Sequence, residues 1–149
     1  MMNEIIITPM EAFHLQAVCE IEAAAFSTPW SQNMFSMSIA DADNQSCFVA
    51  LFDKKVVGYI VLLHCFEDGE LLNIATAPEM RNMGIAKKLM DKMLSFMKEK
   101  NVTRILLEVR ESNTPAKTLY EKYGFSRIGV RKNYYSKPTE NAVVMEKHI

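Results

Sequence analysis

One short junction, where the chain turns from strand to helix, constrains the fold more than any other stretch. The apolar run at residues 71–77 ends at Pro78, a helix-periodic segment begins near Gly84, and Arg81-Asn82-Met83-Gly84-Ile85-Ala86 lies across the join. A helix start carries unpaired backbone N–H groups and the positive end of a dipole, and a glycine there lets an anion come close to the backbone. The junction therefore predicts a strand feeding a helix, as in α/β and α+β domains, with room for the pyrophosphate of a cofactor between them. A P-loop needs Gly-x-x-x-x-Gly-Lys-Ser/Thr and a dinucleotide fold Gly-x-Gly-x-x-Gly. Gly84 is the one glycine of the segment, so both of those alternatives fail. On these residues alone, a tight turn that binds nothing stands beside the cofactor reading.

Strand-like and helix-like periods alternate along the chain without repeats, low-complexity tracts or a linker. With 149 residues, 49% of them hydrophobic, residues 1–149 are expected to form one α/β (α+β) domain with a core of its own. A strand at residues 5–7 leads to Thr8-Pro9-Met10-Glu11. There Thr8 reads as a cap, Pro9 as a first-turn residue and Glu11 as the end of a capping box, opening a helix to about Ala25. Ser31 caps a short helix carrying Met34, Phe35 and Ile39, and residues 47–52 and 56–64 pair as a hairpin across Asp53-Lys54-Lys55. After a turn at Glu67-Asp68-Gly69 come a strand at 70–77 and a helix at 84–98. In that helix Ile85, Leu89, Met93, Phe96 and Met97 make one apolar stripe, while Lys87, Lys88, Asp91 and Lys98 face water. A strand at 104–109 ends at Arg110-Glu111-Ser112-Asn113, Thr114-Pro115 opens a helix closed by Gly124, and strands at 126–131 and 141–147 flank Asn133-Tyr134-Tyr135.

Several function classes are disfavoured by composition. A net charge of −1 gives no global field that would draw nucleic acid or an anionic membrane. Cys19, Cys47 and Cys65 are odd in number and widely spaced, which points to buried free thiols and away from a disulfide framework or a zinc site. No run approaches the roughly 20 apolar residues of a membrane span, and Met1-Met2-Asn3-Glu4 lacks a basic leader, so a cytosolic protein is expected. The methionines, among them Met83, Met90, Met93 and Met97, fit core filling at helical spacing better than a soft docking surface.

Two downstream residues give the junction a context. Glu108 stands near the end of a strand among Ile105, Leu106, Leu107 and Val109, where ligands of open α/β sheets bind and where a partly desolvated carboxylate becomes a better base near neutrality. A solvated Glu108 paired with Arg110 is the alternative. Tyr120, in Leu119-Tyr120-Glu121-Lys122-Tyr123-Gly124-Phe125, reads equally as a core tyrosine with its hydroxyl at the edge.

Taken together, these segments resemble the GNAT superfamily of acetyl-CoA-dependent N-acetyltransferases, whose Arg/Gln-x-x-Gly-x-Gly/Ala motif is matched by Arg81, Gly84 and Ala86. The resemblance extends through Phe26-Ser27-Thr28-Pro29-Trp30-Ser31, Asn73-Ile74-Ala75, Leu107-Glu108-Val109-Arg110, Ser112-Asn113, Leu119-Tyr120-Glu121, Gly124-Phe125 and Arg131-Lys132-Asn133-Tyr134-Tyr135. Their order over nearly the whole chain is similar to the branch that acetylates the N-terminal alanine of a small-subunit ribosomal protein. Such relatives usually carry Gly where this chain has Ala86, and Asp where Asn141 follows Glu140.

The resemblance implies a mixed, splayed central sheet flanked by helices, with acetyl-CoA entering between two parallel strands. It implies that backbone groups of Ile74, Ala75 and Thr76 pair with the pantetheine arm. Residues Arg81, Asn82, Met83, Gly84, Ile85, Ala86 and Lys87 would meet the pyrophosphate, and Asn113 would touch the cofactor from the next loop. Glu108 becomes the general base and Tyr120 the general acid. Direct attack of an amine on the thioester needs no metal and no covalent enzyme intermediate, and none of the cysteines occupies a motif position. An α-amine of pKa about 7.7 to 8.0 is roughly a tenth to a fifth neutral at pH 7, whereas a lysine amine near 10.4 is well below a thousandth neutral, so a protein N-terminus asks less of the base. The Trp30 segment and Tyr134-Tyr135 are the expected peptide groove, with ordinary packing as their alternative. A lysine or small-molecule acceptor, and a non-catalytic acyl-CoA sensor, are the competing functions.

Overall fold

In a computed structural model of the chain, which describes residues 4–149, seven strands form one sheet. They are β1 (Ile6–Pro9), β2 (Gln45–Phe52), β3 (Lys55–Cys65), β4 (Asp68–Thr76), β5 (Arg104–Arg110), β6 (Ser126–Tyr135) and β7 (Glu140–His148), in the order β1-β2-β3-β4-β5-β7-β6. Every neighbouring pair is antiparallel except β4 and β5. That parallel ladder is short: it runs from Asp68 against Arg104 to Leu71 against Leu107 and then stops. Beyond it the two strands part, and the edge of β4 from Leu72 to Thr76 that faces β5 has no strand partner among the described residues, which is the predicted splay. An extra residue in β4, between Leu71 and Asn73 in their pairing with Leu62 and Val61, accompanies the divergence.

Helices cover both faces. α3 (Ile85–Glu99) and α4 (Thr114–Lys122) lie over one face, where Ile85, Leu89, Met90, Met93, Met97 and Tyr120 pack with Leu62, Ile105, Leu107, Val143 and Met145. α1 (Leu15–Ala25) and α2 (Gln32–Ala40) cover the other, where Val18, Ile21 and Phe35 meet Val49, Tyr59 and Val61. α3 forms as its periodicity predicts, because one face of it is almost entirely apolar and buried while Lys87, Lys88, Asp91 and Lys98 are exposed. Met90, Met93 and Met97 fill the core as expected. Met83 does not: it is 57% exposed, since it precedes the helix on the junction.

The N-terminal region departs from the predicted capping pattern. Thr8 and Pro9 belong to β1, paired with Val49 and Phe48, and the helix begins later, through a 3-10 turn at Ala12–His14. The capping box exists but is built by Glu11 and His14: the Glu11 amide donates to His14 Nδ1 at 2.9 Å. Pro9 is tolerated because β1 is an edge strand, where a missing N–H breaks no ladder on its outer side. Ser31 caps α2 as predicted, its Oγ accepting from the Met34 amide at 3.2 Å. The strand expected at 126–131 runs on through Tyr134 and Tyr135. Of the three free thiols only Cys47 is buried, which pushes it up to about 11, while Cys19 is half-buried and Cys65, at a strand end, is exposed. Of Met1-Met2-Asn3-Glu4, read above as lacking a basic leader, the first three lie outside the described residues. Among those described, no helix is long and apolar enough to cross a membrane.

Candidate active site

The parting of β4 and β5 opens a cleft of about 1190 Å³. Its cofactor-side lining includes Ile74, Ala75 and Thr76 on the open edge of β4, and Arg81, Asn82, Gly84, Ile85, Ala86 and Lys87 at the start of α3, with Asn113 beyond β5. Of the residues predicted for this half, Met83 alone lies outside the lining. Gly84 is left-handed, φ 78°, and a Cβ placed on it would meet nothing within 4 Å. The glycine is therefore required by the backbone turn, and it leaves open space over the helix start. Among the described residues no side chain caps α3, so its first amides are free to meet an anion, with Arg81 and Lys87 beside them. Ala86 sits inside α3 and carries no positive φ, so alanine costs nothing there. These features fit an extended, phosphorylated cosubstrate. Asn113 has a structural task as well: its Oδ1 caps α4 by accepting from the Ala116 amide at 3.2 Å.

Glu108 and Tyr120 line the same cleft. Glu108 is mostly buried, its side chain 17% exposed, and it is not paired with Arg110. Arg131 Nε lies 3.4 Å from its Oε2, close enough for an ion pair but not aligned as a hydrogen bond, so that buried oxygen accepts none. Tyr120 is buried on α4 with its ring edge-on to Phe125. Burial pushes its phenol well above the ordinary value, so it keeps its proton at neutral pH. A protonated phenol and a carboxylate facing one cleft can donate and accept a proton on either side of a reacting centre.

The side of the cleft where the acceptor groove was expected is built from two distant segments. Phe26, Ser27, Thr28 and Trp30 line the cleft from the α1–α2 loop, and Tyr134, Tyr135, Lys137, Pro138 and Glu140 line it from the β6–β7 hairpin. Trp30 is also half core, its ring tilted against Phe35 with centroids 5.1 Å apart. Burial and the nearby Glu108 raise the Tyr135 phenol to about 12, and the same two causes raise Tyr134. Asn141 accepts from the Asn133 amide and donates to Glu111 Oε2, a bond an aspartate there would turn into a repulsion.

Glu22 and Glu70 escaped the sequence reading of this region, and Arg131 was read there only as part of a motif. Glu22, 1% exposed on α1, accepts from the Trp30 amide (2.9 Å), Tyr59 hydroxyl (2.5 Å) and Asn73 Nδ2 (2.8 Å). A single acid in the buried stripe Leu15, Val18, Ile21, Glu22 is the signal that could have found it. Glu70, one strand over from Glu108, carries no local signal, and Arg131, quoted above as the start of one matching segment, carries none for its place beside Glu108. A second concavity, about 1020 Å³ and lined by Pro9, Phe13, Glu20, Lys54 and Pro78 among others, includes neither the Glu108–Tyr120 pair nor the Gly84 junction.

This sheet, its splay and its cleft define an acyl-transferring domain. The chain belongs to the acetyltransferase (GNAT) family, whose model matches residues 15–125. It is 36% identical over 143 residues to the ribosomal protein bS18-alanine N-acetyltransferase of Haemophilus influenzae, covering 94% of this chain and 96% of that one. The crystal structure of the ribosomal-protein-S18-alanine N-acetyltransferase of Escherichia coli superposes with a TM-score of 0.90 at 28% identity, covering 98% of this chain and 94% of that one. Ard1 of Thermoplasma volcanium follows at 0.89 and 27% identity, covering 97% of each.

Proposed function

We propose that this protein transfers the acetyl group of acetyl-CoA to the N-terminal α-amine, an alanine, of the small-subunit ribosomal protein bS18. The observation that carries the reading is one cleft lined at once by the Gly84 junction, by Glu108 and Tyr120, and by the two acceptor-side segments. The substrate comes from the relatives named above, which match this chain along nearly its full length.

Acetyl-CoA bound there supplies an activated carbonyl and a thiolate leaving group. Amides of Gly84 to Lys87, with Arg81 and Lys87, hold its pyrophosphate; backbone groups of Ile74, Ala75 and Thr76 on the open edge of β4 pair with its pantetheine arm; and Asn113 contacts it from the far side. Glu108, directly or through one water, takes the proton of the attacking amine as the N–C bond forms. Tyr120 gives its proton to the sulfur as the C–S bond breaks and is reprotonated from solvent. Donors along β4 are the groups in reach of the carbonyl oxygen as charge develops on it. No metal and no enzyme-bound acyl group takes part, and the setting is the cytoplasm, where ribosomal proteins are made.

Acetyl-CoA consumption against short peptides that differ in their first residues, with free polyamines as controls, tests the proposal. Turnover restricted to the peptide that begins with alanine supports it; turnover of polyamines beside inert peptides overturns it in favour of a small-molecule acceptor.

A further inference from the structure

Arg110 is the last residue of β5, two positions beyond Glu108, and its side chain is only 21% exposed. Four N–H groups of its guanidinium are spent on four acceptors from two separate pieces of chain. Nη2 donates to Ser27 Oγ at 3.3 Å and to the Ser136 carbonyl at 2.7 Å. Nη1 donates to the Pro138 carbonyl at 3.0 Å and to Glu140 Oε1 at 3.1 Å. The guanidinium also lies over the Tyr135 ring, 4.6 Å from its centroid. The other oxygen of Glu140 accepts from the Ser112 amide at 2.6 Å, which ties the hairpin to the turn that presents Asn113.

Ser27 belongs to one wall of the acceptor side and Pro138 and Glu140 to the other, with Ser136 in the same β6–β7 hairpin. Among the described residues, the hydrogen-bonded link between those walls runs through Arg110. We propose that Arg110 is a positioning residue: it sets the separation of the α1–α2 loop from the β6–β7 hairpin and registers both against the strand end that carries Glu108. It lines the cleft, but both Nη groups are already engaged by protein acceptors, so its loss acts on how the acceptor is held. A lysine keeps the charge but presents a compact ammonium with three donors, which cannot span four acceptors in a planar fork. The inference rests on the acceptor-groove reading of these segments.

Three variants test it: Arg110→Lys, Ser27→Ala, which removes only the link to the α1–α2 loop, and their combination. The KM of the alanine-terminated peptide should rise about tenfold in Arg110→Lys, equivalent to about 1.4 kcal/mol. In Ser27→Ala it should rise about threefold, what one partly exposed hydrogen bond is worth. In the double variant Ser27→Ala should add nothing, while kcat and the KM for acetyl-CoA stay within about twofold throughout. Additive effects, an unchanged peptide KM, or a parallel rise in the acetyl-CoA KM would each overturn the proposal. Wild-type inactivity on the peptide is a failure of the acceptor assignment, and the same ratios are then read with whichever amine the wild type acetylates. Amide exchange gives an answer that needs no acceptor and no Arg110 variant that folds: Ser27→Ala should speed exchange in residues 26–30 and 133–139 together, and acceleration confined to one wall, or to neither, rejects the link.

Discussion

Glu70 and Glu108 stand on neighbouring strands of one sheet face, Glu70 in register with Leu106, and among the described residues Glu108 alone of the two has an ion-pair partner. Burial, and then the charge of Glu108, raise the Glu70 carboxyl above its usual value. A raised carboxylic acid binds its proton more tightly in the folded state, so its ionisation costs stability above the folded pKa, and that cost is gone below the unfolded value of about 4.3. Glu70→Gln should therefore raise Tm at pH 7 and leave it unchanged well below pH 4; a lower Tm at pH 7 would contradict this. For Glu108 the expectation is kinetic. Glu108→Gln should cut kcat by about 10²- to 10⁴-fold while calorimetry finds acetyl-CoA affinity intact, since the role proposed for the carboxylate is to take the amine's proton. Unchanged turnover across neutral pH would remove it as the base. Glu108 was legible as a carboxylate at a strand end, but its neighbours were not. The pairing with Arg110 considered from sequence is absent because alternation along β5 sets a residue's face and not its partners, and Arg110 turns to the hairpin.

α1 owes its place to an acid as well as to its apolar stripe. Glu22 joins three elements by accepting from the α1–α2 loop, β3 and β4. Glu22→Ala leaves a buried hydroxyl and a buried amide without an acceptor, which should cost about 3 kcal/mol or more in urea unfolding, and it should loosen the Trp30 segment. A loss below about 1 kcal/mol would show that water replaces the carboxylate at little cost. α3 and its junction were readable because helix periodicity and a left-handed glycine are local properties. Thr8-Pro9-Met10-Glu11 was misread for the opposite reason. It satisfies a local capping pattern, but pairing of Thr8 with Val49, forty-one positions away, pulls it into the sheet.

At the scale of the molecule, two apolar cores on opposite faces hold a sheet whose central seam is only four residue pairs long. A ligand that enters the opening beyond that seam binds the folded state alone. Acetyl-CoA at about one hundred times its Kd should stabilise the protein by about 2.7 kcal/mol, a rise in Tm on the order of 5–10 °C in a thermal melt. Gly84→Val should shrink that rise, because it forces a branched side chain into φ 78° and fills the space over the helix start. No shift with acetyl-CoA on the wild type would mean that the cleft does not take it.

The sequence by itself determined the alternation of strands and helices, the glycine turn that opens α3, the stripe that buries it, and the resemblance that pointed to acetyl transfer. These depend on periodicity, backbone preference and motif order, all of which are written along the chain. Only the tertiary structure decided which side chains meet: Arg110 with Ser27, eighty-three residues apart, Glu22 with Asn73, fifty-one apart, and Arg131 beside Glu108. Those meetings follow from where the sheet splays and how helices pack on its two faces, and no local pattern encodes a distance between residues so far apart in the chain.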